Sequence, residues 1–215
     1  MFFRSTTYNR VDTLEAAHKA KTRGKRKKAI ACYLKAIEAN PNDLLAHSKV
    51  APLLAETRQY EKSWASFTAA AEGFLRMGFY DKCIGVLRLA ARTMPNWPVA
   101  WESLIRLQAE RGLKADAVKT ALAGARHFRS RRTRDKAIGL LKRGWDILPW
   151  QREVTFELAR LKSRGGDKTE ALTLLKGLEE RSEGPDIRKV RGAVFWVNPS
   201  GGALWRWLKA ALTGA

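Results

Sequence analysis

The side chains that could do chemistry are few and far apart along this sequence. Its three histidines, His18, His47 and His127, lie in separate segments, and none has a carboxylate or a cysteine at the spacing of metal ligands on one helix. The two cysteines, Cys32 and Cys83, are too few for a disulfide scaffold or a cysteine-based zinc site. No glycine-rich phosphate loop and no nucleophile motif is present. We therefore predict that the chain is not an enzyme, with no catalytic residue, metal ligand or cofactor.

Positive charge is the strongest chemical signal in the sequence. The 215 residues include 41 Lys and Arg against 21 Asp and Glu, which gives a formal net charge of +20. Such an excess favours an anionic partner. Two clusters concentrate the charge. The first basic cluster is Arg23, Lys25, Arg26, Lys27 and Lys28, and the second is Arg126, Arg129, Arg131, Arg132, Arg134 and Lys136. In the second cluster, Arg129, Arg131, Arg132 and Arg134 are the candidates for partner binding.

The two basic clusters admit three interpretations. They could be solvated rims of the fold, contacts to an acidic protein or lipid, or phosphate contacts to RNA or DNA. Neither cluster is interleaved with the aromatic residues on which single-stranded nucleic acid stacks. Solvated rims are therefore favoured first, an acidic protein or lipid second, and nucleic acid last. If the clusters bind a partner, we expect an acidic protein.

The composition also predicts a cellular location. Cys32 and Cys83 fall on the apolar stripes of predicted helices, where cysteine acts as a small hydrophobic residue, and reduced thiols suit the cytoplasm. The opening MFFRSTTYNR lacks the apolar core of a signal peptide, and no stretch approaches the ~20 apolar residues of a membrane span. We expect a cytoplasmic protein whose membrane contact, if any, is peripheral.

Helices must position all of these residues, because apolar residues recur at helical spacing almost throughout and the alternation of strands is absent. Short turns between the helices require neighbours to lie antiparallel. With turns placed at Gly, Pro, Asn and Asp, ten helices are predicted. Their spans are 12–22, 26–39, 44–57, 60–77, 80–94, 98–111, 114–128, 134–147, 152–164 and 167–181.

A ladder of small and aromatic residues repeats along these helices. From Gly24 it runs through Ala29, Tyr33 and Ala36 to Pro41. It returns 54 residues later from Gly78, as Cys83, Leu87, Ala90 and Pro95, and again from Arg132, as Ala137, Leu141, Gly144 and Pro149. The small residues let two helices approach closely, the aromatic fills the gap between hairpins, and the proline stops the second helix. With Ala17 on the preceding helix, the ladder resembles the signature of the tetratricopeptide repeat family, whose helix–turn–helix unit has about 34 residues.

The resemblance implies both a fold and a class of function. The fold would be all-α, a right-handed α–α solenoid of about ten antiparallel helices in a tetratricopeptide-like superhelix, plus a C-terminal capping or tail segment. The function would be that of a scaffold or adaptor that holds a partner protein in a groove. By this resemblance His18 and Lys21 lie on the groove side of the first repeat. Together with the two basic clusters they form our predicted partner-binding set.

The chain departs from a regular array at its turns. Successive steps alternate between 34 and 20 residues, so we predict a unit of three helices and 54 residues in which the helix 60–77 belongs to two hairpins. Pro52 lies inside the helix 44–57 and predicts a kink or a helix that starts near Ala51. The predicted turn positions are Gly24, Arg58, Gly78, Gly112, Arg132 and Gly166.

The last thirty residues differ from the repeats. We divide the chain into an N-terminal lead 1–9, a helical repeat domain 10–183 and a basic, tryptophan-rich tail 184–215 with one short helix over 203–212. In the tail, Trp196, Trp205 and Trp207 lie near cations such as Arg206, which is typical of a segment at a membrane interface. Capping of the last repeat is the favoured interpretation; a membrane anchor and a partner-binding peptide are the alternatives.

These observations predict a non-catalytic protein-interaction scaffold. The alternative is a peripheral binder of anionic membranes or of nucleic acid, acting through the basic clusters and the tail anchor of Trp196, Trp205, Arg206 and Trp207.

Overall fold

The computed structural model describes residues 9–183 and 185–213, and within them every regular element is helical. Contacts divide the chain into two compact units, Met1–Leu104 and Ile105–Ala215, and one helix, α6, crosses the division. The twelve α-helices of the described residues are α1 (Arg10–Thr22), α2 (Arg26–Ala39), α3 (Leu44–Glu56), α4 (Tyr60–Arg76), α5 (Tyr80–Thr93), α6 (Pro98–Glu110), α7 (Lys114–Ala125), α8 (Arg134–Ile147), α9 (Arg152–Gly165), α10 (Lys168–Glu179), α11 (Pro185–Val197) and α12 (Gly201–Thr213).

The fold class predicted from the sequence is confirmed: the chain is an all-α solenoid of antiparallel helix hairpins. Ten helices occupy the repeat region, and the predicted bounds of α2 and α8 are those observed. The tail differs from the prediction, because it holds two helices rather than one. The lead 1–9 lies outside the described residues apart from Asn9, whose side chain caps the first turn of α1.

The reversals between helices confirm five of the six predicted turn positions. Gly24, Gly78 and Gly112 have φ between 70° and 75°, Gly166 has φ 101°, and Arg58 adopts φ 62° although it is not glycine. Arg132 is different, since it lies in a 3-10 helix over Arg131–Thr133. The connection from α7 to α8 is longer than the others and includes the buried Phe128, so no single residue has to reverse the chain. The prediction of a tight turn at Arg132 is wrong.

Unit 1 is a continuous stack of hairpins. Helices α1 to α5 pack in chain order, α1 on α2, α2 on α3, α3 on α4 and α4 on α5. Helix α4 thus contacts both α3 and α5, as the shared helix of the 54-residue unit requires. The core of the first three helices contains Tyr33, Val50 and Leu54. On α4, Gly73 touches the Leu44 side chain so closely that no Cβ would fit, which fixes the close approach of α3 and α4.

Pro52 does not start a new helix. Helix α3 is continuous from Leu44 to Glu56 with Pro52 inside it, so the predicted start near Ala51 is wrong. Proline removes one backbone hydrogen bond, but α3 buries Val50, Leu53 and Leu54 on the face that packs against its neighbours. Burial of these side chains outweighs the loss of one hydrogen bond, since each contributes about 1.5–3 kcal/mol.

Unit 2 repeats this architecture from α7 to α12. Helix α8 packs against α7 and α9, and Val118, Leu141, Val154 and Leu158 form a core between them. Trp150 stands over α10, where its ring occupies the space that a Cβ of Gly177 would take. Trp150 is half-buried and also packs edge-on against Trp145 of α8, so it contacts both α8 and α10.

The tail is packed onto the end of unit 2. Helix α11 contacts α9 and α10 and buries Val190 and Val194, and α12 packs in turn against α11. Helix α11 therefore covers the last repeat, which is the capping role that the sequence favoured. No helix among the described residues is long and apolar enough to cross a membrane.

Candidate functional site

The first candidate site is an open groove in unit 1. Helices α1 and α3 form its two walls, and Tyr33 of α2 lies between them. The groove has a volume of about 500 Å³. Its apolar lining is Val11, Leu14 and Leu45, of which Val11 is 58% and Leu45 47% exposed. Apolar side chains that line an open groove at this exposure are available for a ligand.

An ion pair between a buried carboxylate and a partly exposed guanidinium joins the two walls. Asp43, which is almost fully buried, caps α3 by accepting a hydrogen bond from the Ala46 amide, and it accepts two more from Arg10 at 2.6 and 3.0 Å. The hydrogen bond from the Arg10 guanidinium is the main reason that the pKa of Asp43 lies below its usual range. Since Arg10 begins α1 and Asp43 precedes α3, this pair holds the two helix N-termini side by side.

The rim of the groove is mainly basic. Lys19, Lys49 and His18 lie along it, together with one carboxylate, Glu15, and the ion-paired Arg10. The first basic cluster lies at the turn from α1 to α2, beyond the C-terminal end of α1. There Arg26 is paired with Glu56 at 2.7 Å, and Lys25, Lys27 and Lys28 are exposed. The groove and its surroundings therefore combine an apolar floor with an excess of positive charge.

A second cleft lies in unit 2, between α7 and α9. Leu122, Leu141 and Phe156 form its apolar part, and its volume is about 310 Å³. Arg126, Arg129 and Glu157 also line it, and Glu157 is ion-paired with Arg160. The sequence analysis missed this cleft. The signals that it offered were Arg126 and Arg129, which belong to the second basic cluster.

The residues of the repeating ladder decide the type of helix repeat. Their small and apolar side chains fill the helix–helix contacts of both units, and the buried ones are Ala17, Ala29, Tyr33, Ala36, Cys83, Leu87, Ala90, Ala137, Leu141 and Gly144. The chain has a tetratricopeptide-like repeat fold.

Known proteins are only distantly similar to this chain. No family model matches the sequence, and no curated protein matches it. Among solved structures, BtubC from P. vanneervenii is 14% identical over 97% of this chain and 94% of its own, with a TM-score of 0.44. A tetratricopeptide repeats protein from Bacteroides fragilis is 12% identical over 96% and 99%, with a TM-score of 0.39. One from Parabacteroides merdae is 13% identical over 96% and 93%, with a TM-score of 0.36. The likeness is one of fold class alone.

The tetratricopeptide-like repeats separate the predicted partner-binding residues into several surfaces. His18 lines the groove, whereas Lys21 lies exposed in the last turn of α1 outside its lining. Arg23 ends α1, and Lys25 precedes the first turn of α2 without a side-chain cap. No acidic residue lies in that first turn of α2, so the helix dipole and the cations present positive charge together.

The second basic cluster is only partly a free surface. Arg129, Arg131 and Arg132 are exposed. Arg134 is half-buried and lies against Gly165 at the end of α9, where a cation interacts favourably with the helix C-terminus. The tetratricopeptide-like scaffold thus gives Arg134 a structural environment that the sequence did not reveal. Whether the three exposed arginines bind a partner stays a prediction.

The four predicted anchor residues of the tail do not share a face. Trp196 is 80% and Trp205 67% exposed, and Arg206 is exposed as well. Trp207 is half-buried, stacked on Phe195 at 6.3 Å between ring centroids and in contact with Gly192. Trp207 therefore contributes to the contact between α11 and α12, and its role as an anchor residue stays a prediction.

Proposed function

We propose that the chain is a non-catalytic scaffold that binds an acidic, amphipathic segment of a partner protein in the groove between α1 and α3. The observation that carries the proposal is the combination of an exposed apolar lining with a basic rim in that groove. The proposal involves no cofactor. It includes a cytoplasmic location, which suits the two free thiols of Cys32 and Cys83.

The apolar lining supplies the affinity in this proposal. Val11 and Leu45 expose about half of their surface beside Leu14, and a partner side chain inserted there removes that surface from water. At about 25 cal/mol per Å² of apolar surface, covering these three residues contributes on the order of 2–4 kcal/mol. A few well-placed apolar anchors of this kind dominate the free energy of most protein interfaces.

The basic rim supplies the preference for an acidic partner. Lys19, Lys49 and His18 line the groove, and the first basic cluster extends the positive charge past the C-terminal ends of the two groove helices. Charges at a rim mainly raise the association rate and select partners of opposite charge. The favoured ligand is therefore a segment with apolar anchors near the N-termini of α1 and α3 and acidic residues towards their C-termini.

The test is a selection of displayed peptides on the full chain, followed by fluorescence anisotropy with the enriched peptides. We expect the enriched peptides to combine apolar and acidic residues and to bind more weakly as salt increases. The double variant Val11→Glu/Leu45→Glu places charge in the apolar lining and is expected to weaken binding by roughly tenfold or more.

The matched control is Leu113→Glu/Leu148→Glu, which makes the same chemical change at two exposed leucines outside the groove. This control is expected to bind the peptides within about twofold of the unmodified chain. Enriched peptides that bind the groove variant as tightly as the control would refute the groove as the binding site. Enrichment without acidic residues would refute the acidic partner alone.

Nucleic acid receives less support as a partner. Phe128, the aromatic ring nearest in sequence to Arg129, is buried and does not offer a surface for base stacking. If the arginines nevertheless bind RNA or DNA, Arg129→Gln/Arg131→Gln/Arg132→Gln should lower the affinity and reduce its salt dependence. An unchanged affinity would leave those arginines as a solvated rim.

A further inference from the structure

Helix α12 presents three different faces. At 100° per residue, Ala203, Trp207 and Ala210 share the face that packs towards α11, where Ala203 and Ala210 are buried. Arg206 and Lys209 lie on a second, polar face. The third face is an outward apolar stripe, and its residues are Leu204, Trp205, Leu208 and Leu212.

The outward apolar stripe is open to solvent. Leu212 is 85% and Trp205 67% exposed, and Leu204 and Leu208 are exposed too. Among the described residues of α12, only the inner apolar face with Ala203 and Ala210 is buried. An apolar stripe in this place indicates a docking surface.

The charges around the stripe point to an anionic partner. Asp186 is the one acidic residue of the sequence 185–213, and it is ion-paired with Arg152 and Lys189. The same segment has five cations, Arg188, Lys189, Arg191, Arg206 and Lys209. Arg191 is ion-paired with Glu179, and Arg206 and Lys209 lie beside the stripe on α12. Exposed tryptophan and leucine flanked by cations is the composition of helices that lie in the interface of an anionic bilayer.

We infer that α12 lies on the surface of anionic lipid bilayers with its outward apolar stripe among the lipid headgroups. The helix has 13 residues, which corresponds to a length of about 20 Å and is too short to cross a hydrocarbon core of about 30 Å. A helix of this kind lies in the plane of the interface and buries its apolar face at the headgroup–acyl boundary.

A second copy of the chain fits the stripe less well. Two copies that met at α12 would bring together two surfaces of the same positive charge, on chains that each have a formal charge of +20. Four side chains on one helix also fall far short of the roughly 20–30 residues per side of a stable interface. A bilayer needs neither a matching surface nor an interface of that size.

The test is sedimentation of the full chain with vesicles of phosphatidylcholine containing a third phosphatidylglycerol. The variant is Trp205→Ala/Leu208→Ala/Leu212→Ala, and the matched control is Met77→Ala/Leu113→Ala/Leu148→Ala, which removes exposed apolar side chains elsewhere. Both variants keep the net charge of the chain. Electrostatic attraction to the vesicles is therefore the same for both variants. A difference in the fraction that pellets measures the contribution of the outward apolar stripe to vesicle binding.

We expect the unmodified chain and the control to pellet alike and the stripe variant to partition roughly tenfold less. Equal pelleting of the two variants would overturn the inference, and so would a lack of pelleting by the unmodified chain. Self-association that disappears in the stripe variant, without vesicle binding, would identify a second copy as the occupant.

A second measurement does not depend on the triple variant. Brominated acyl chains quench tryptophans that enter the bilayer interface, so the unmodified chain should lose fluorescence on such vesicles. Trp205→Phe should remove most of that quenching, whereas Trp207→Phe, on the inner face of α12, should leave it in place. The same quenching in both variants would contradict the assigned orientation of α12.

Discussion

At the scale of single residues, Asp43 does two tasks with one carboxylate. It caps α3 and pairs with Arg10, so it aligns the two walls of the groove. Sequence alone identified neither partner, because Arg10 and Asp43 are 33 positions apart and only the stacking of α1 beside α3 brings them together.

We predict that Asp43→Asn lowers the free energy of unfolding by about 1–3 kcal/mol at pH 7, measured by urea denaturation. The amide can still cap α3, but the substitution removes the negative charge that pairs with the Arg10 guanidinium. Because the pKa of Asp43 is lowered in the folded chain, the ion pair stabilises the fold above the unfolded pKa of about 3.9 and ceases to do so as the pH falls through the folded pKa.

The difference between Asp43→Asn and the unmodified chain should therefore shrink below about pH 4. Arg26→Gln is the control, since it removes the exposed pair with Glu56, and it is expected to cost at most about 0.5 kcal/mol. If Asp43→Asn lowers the free energy of unfolding by no more than this control does, the pair of Arg10 and Asp43 does not hold α1 to α3.

Arg58 gives a second residue-scale prediction. It adopts φ 62° at a turn where the equivalent residues Gly24, Gly78 and Gly112 are glycines, and it is exposed. Since the left-handed conformation costs a non-glycine residue about 1–2 kcal/mol, Arg58→Gly should raise the free energy of unfolding by about 0.5–1 kcal/mol. The same change inside a helix, at the exposed Arg88 of α5, should lower it by a similar amount. A lower urea midpoint for Arg58→Gly would contradict the assigned turn.

At the scale of helices, glycine positions decide how closely two helices approach. A Cβ on Gly144 of α8 would lie 2.9 Å from the Cβ of Ala121 on α7, whereas a Cβ on Gly139 of the same helix would meet nothing within 4 Å. The sequence assigned Gly144 to the ladder, but it could not reveal which neighbouring atom the missing side chain leaves room for.

We predict opposite effects for the same substitution at these two sites. Gly139→Ala should stabilise the chain by about 0.5–1 kcal/mol, because alanine has the higher helix propensity. Gly144→Ala gains the same propensity but forces α7 and α8 apart, and should destabilise the chain by about 1–2 kcal/mol net. The two urea midpoints measure this directly. If both rise equally, α7 and α8 are not in close contact at Gly144.

At the scale of the whole molecule, net charge is the dominant property. With a formal charge of +20, the chain repels itself, and salt screens that repulsion. We predict that the urea midpoint rises between about 20 mM and 300 mM NaCl, although individual ion pairs such as Arg26–Glu56 weaken over the same range. Asp43→Asn should show the same rise, because it changes one charge only. A midpoint that falls with salt would mean that ion pairs outweigh the net repulsion.

Two surfaces of the molecule, the groove of unit 1 and the outward stripe of α12, serve separate proposals. They lie in different compact units and rest on different observations, so either can fail without the other. In both, apolar side chains are combined with positive charge, and that combination follows directly from the composition of the chain.

The sequence by itself determined the helices, most of the turns and the buried ladder. These features depend on local periodicity, on turn residues such as Gly24 and on side-chain size at Ala17, Tyr33 and Ala36, all of which are properties of neighbouring residues. The sequence also implies that Trp205 and Trp207 point in opposite directions, because two residues along an α-helix are separated by about 200° of rotation.

Only the tertiary structure decided which faces stay open and which distant residues meet. The long connection from α7 to α8, with its 3-10 helix at Arg131–Thr133, was not evident from the sequence. The cleft between α7 and α9 and the pairing of Arg10 with Asp43 depend on how helices that are not consecutive in sequence pack. The exposure of α12 also depends on tertiary packing, because apolar residues cover most of the circumference of this helix. The sequence shows that they are apolar, but the position of α11 selects which of them are buried and leaves Trp205 and Leu212 exposed.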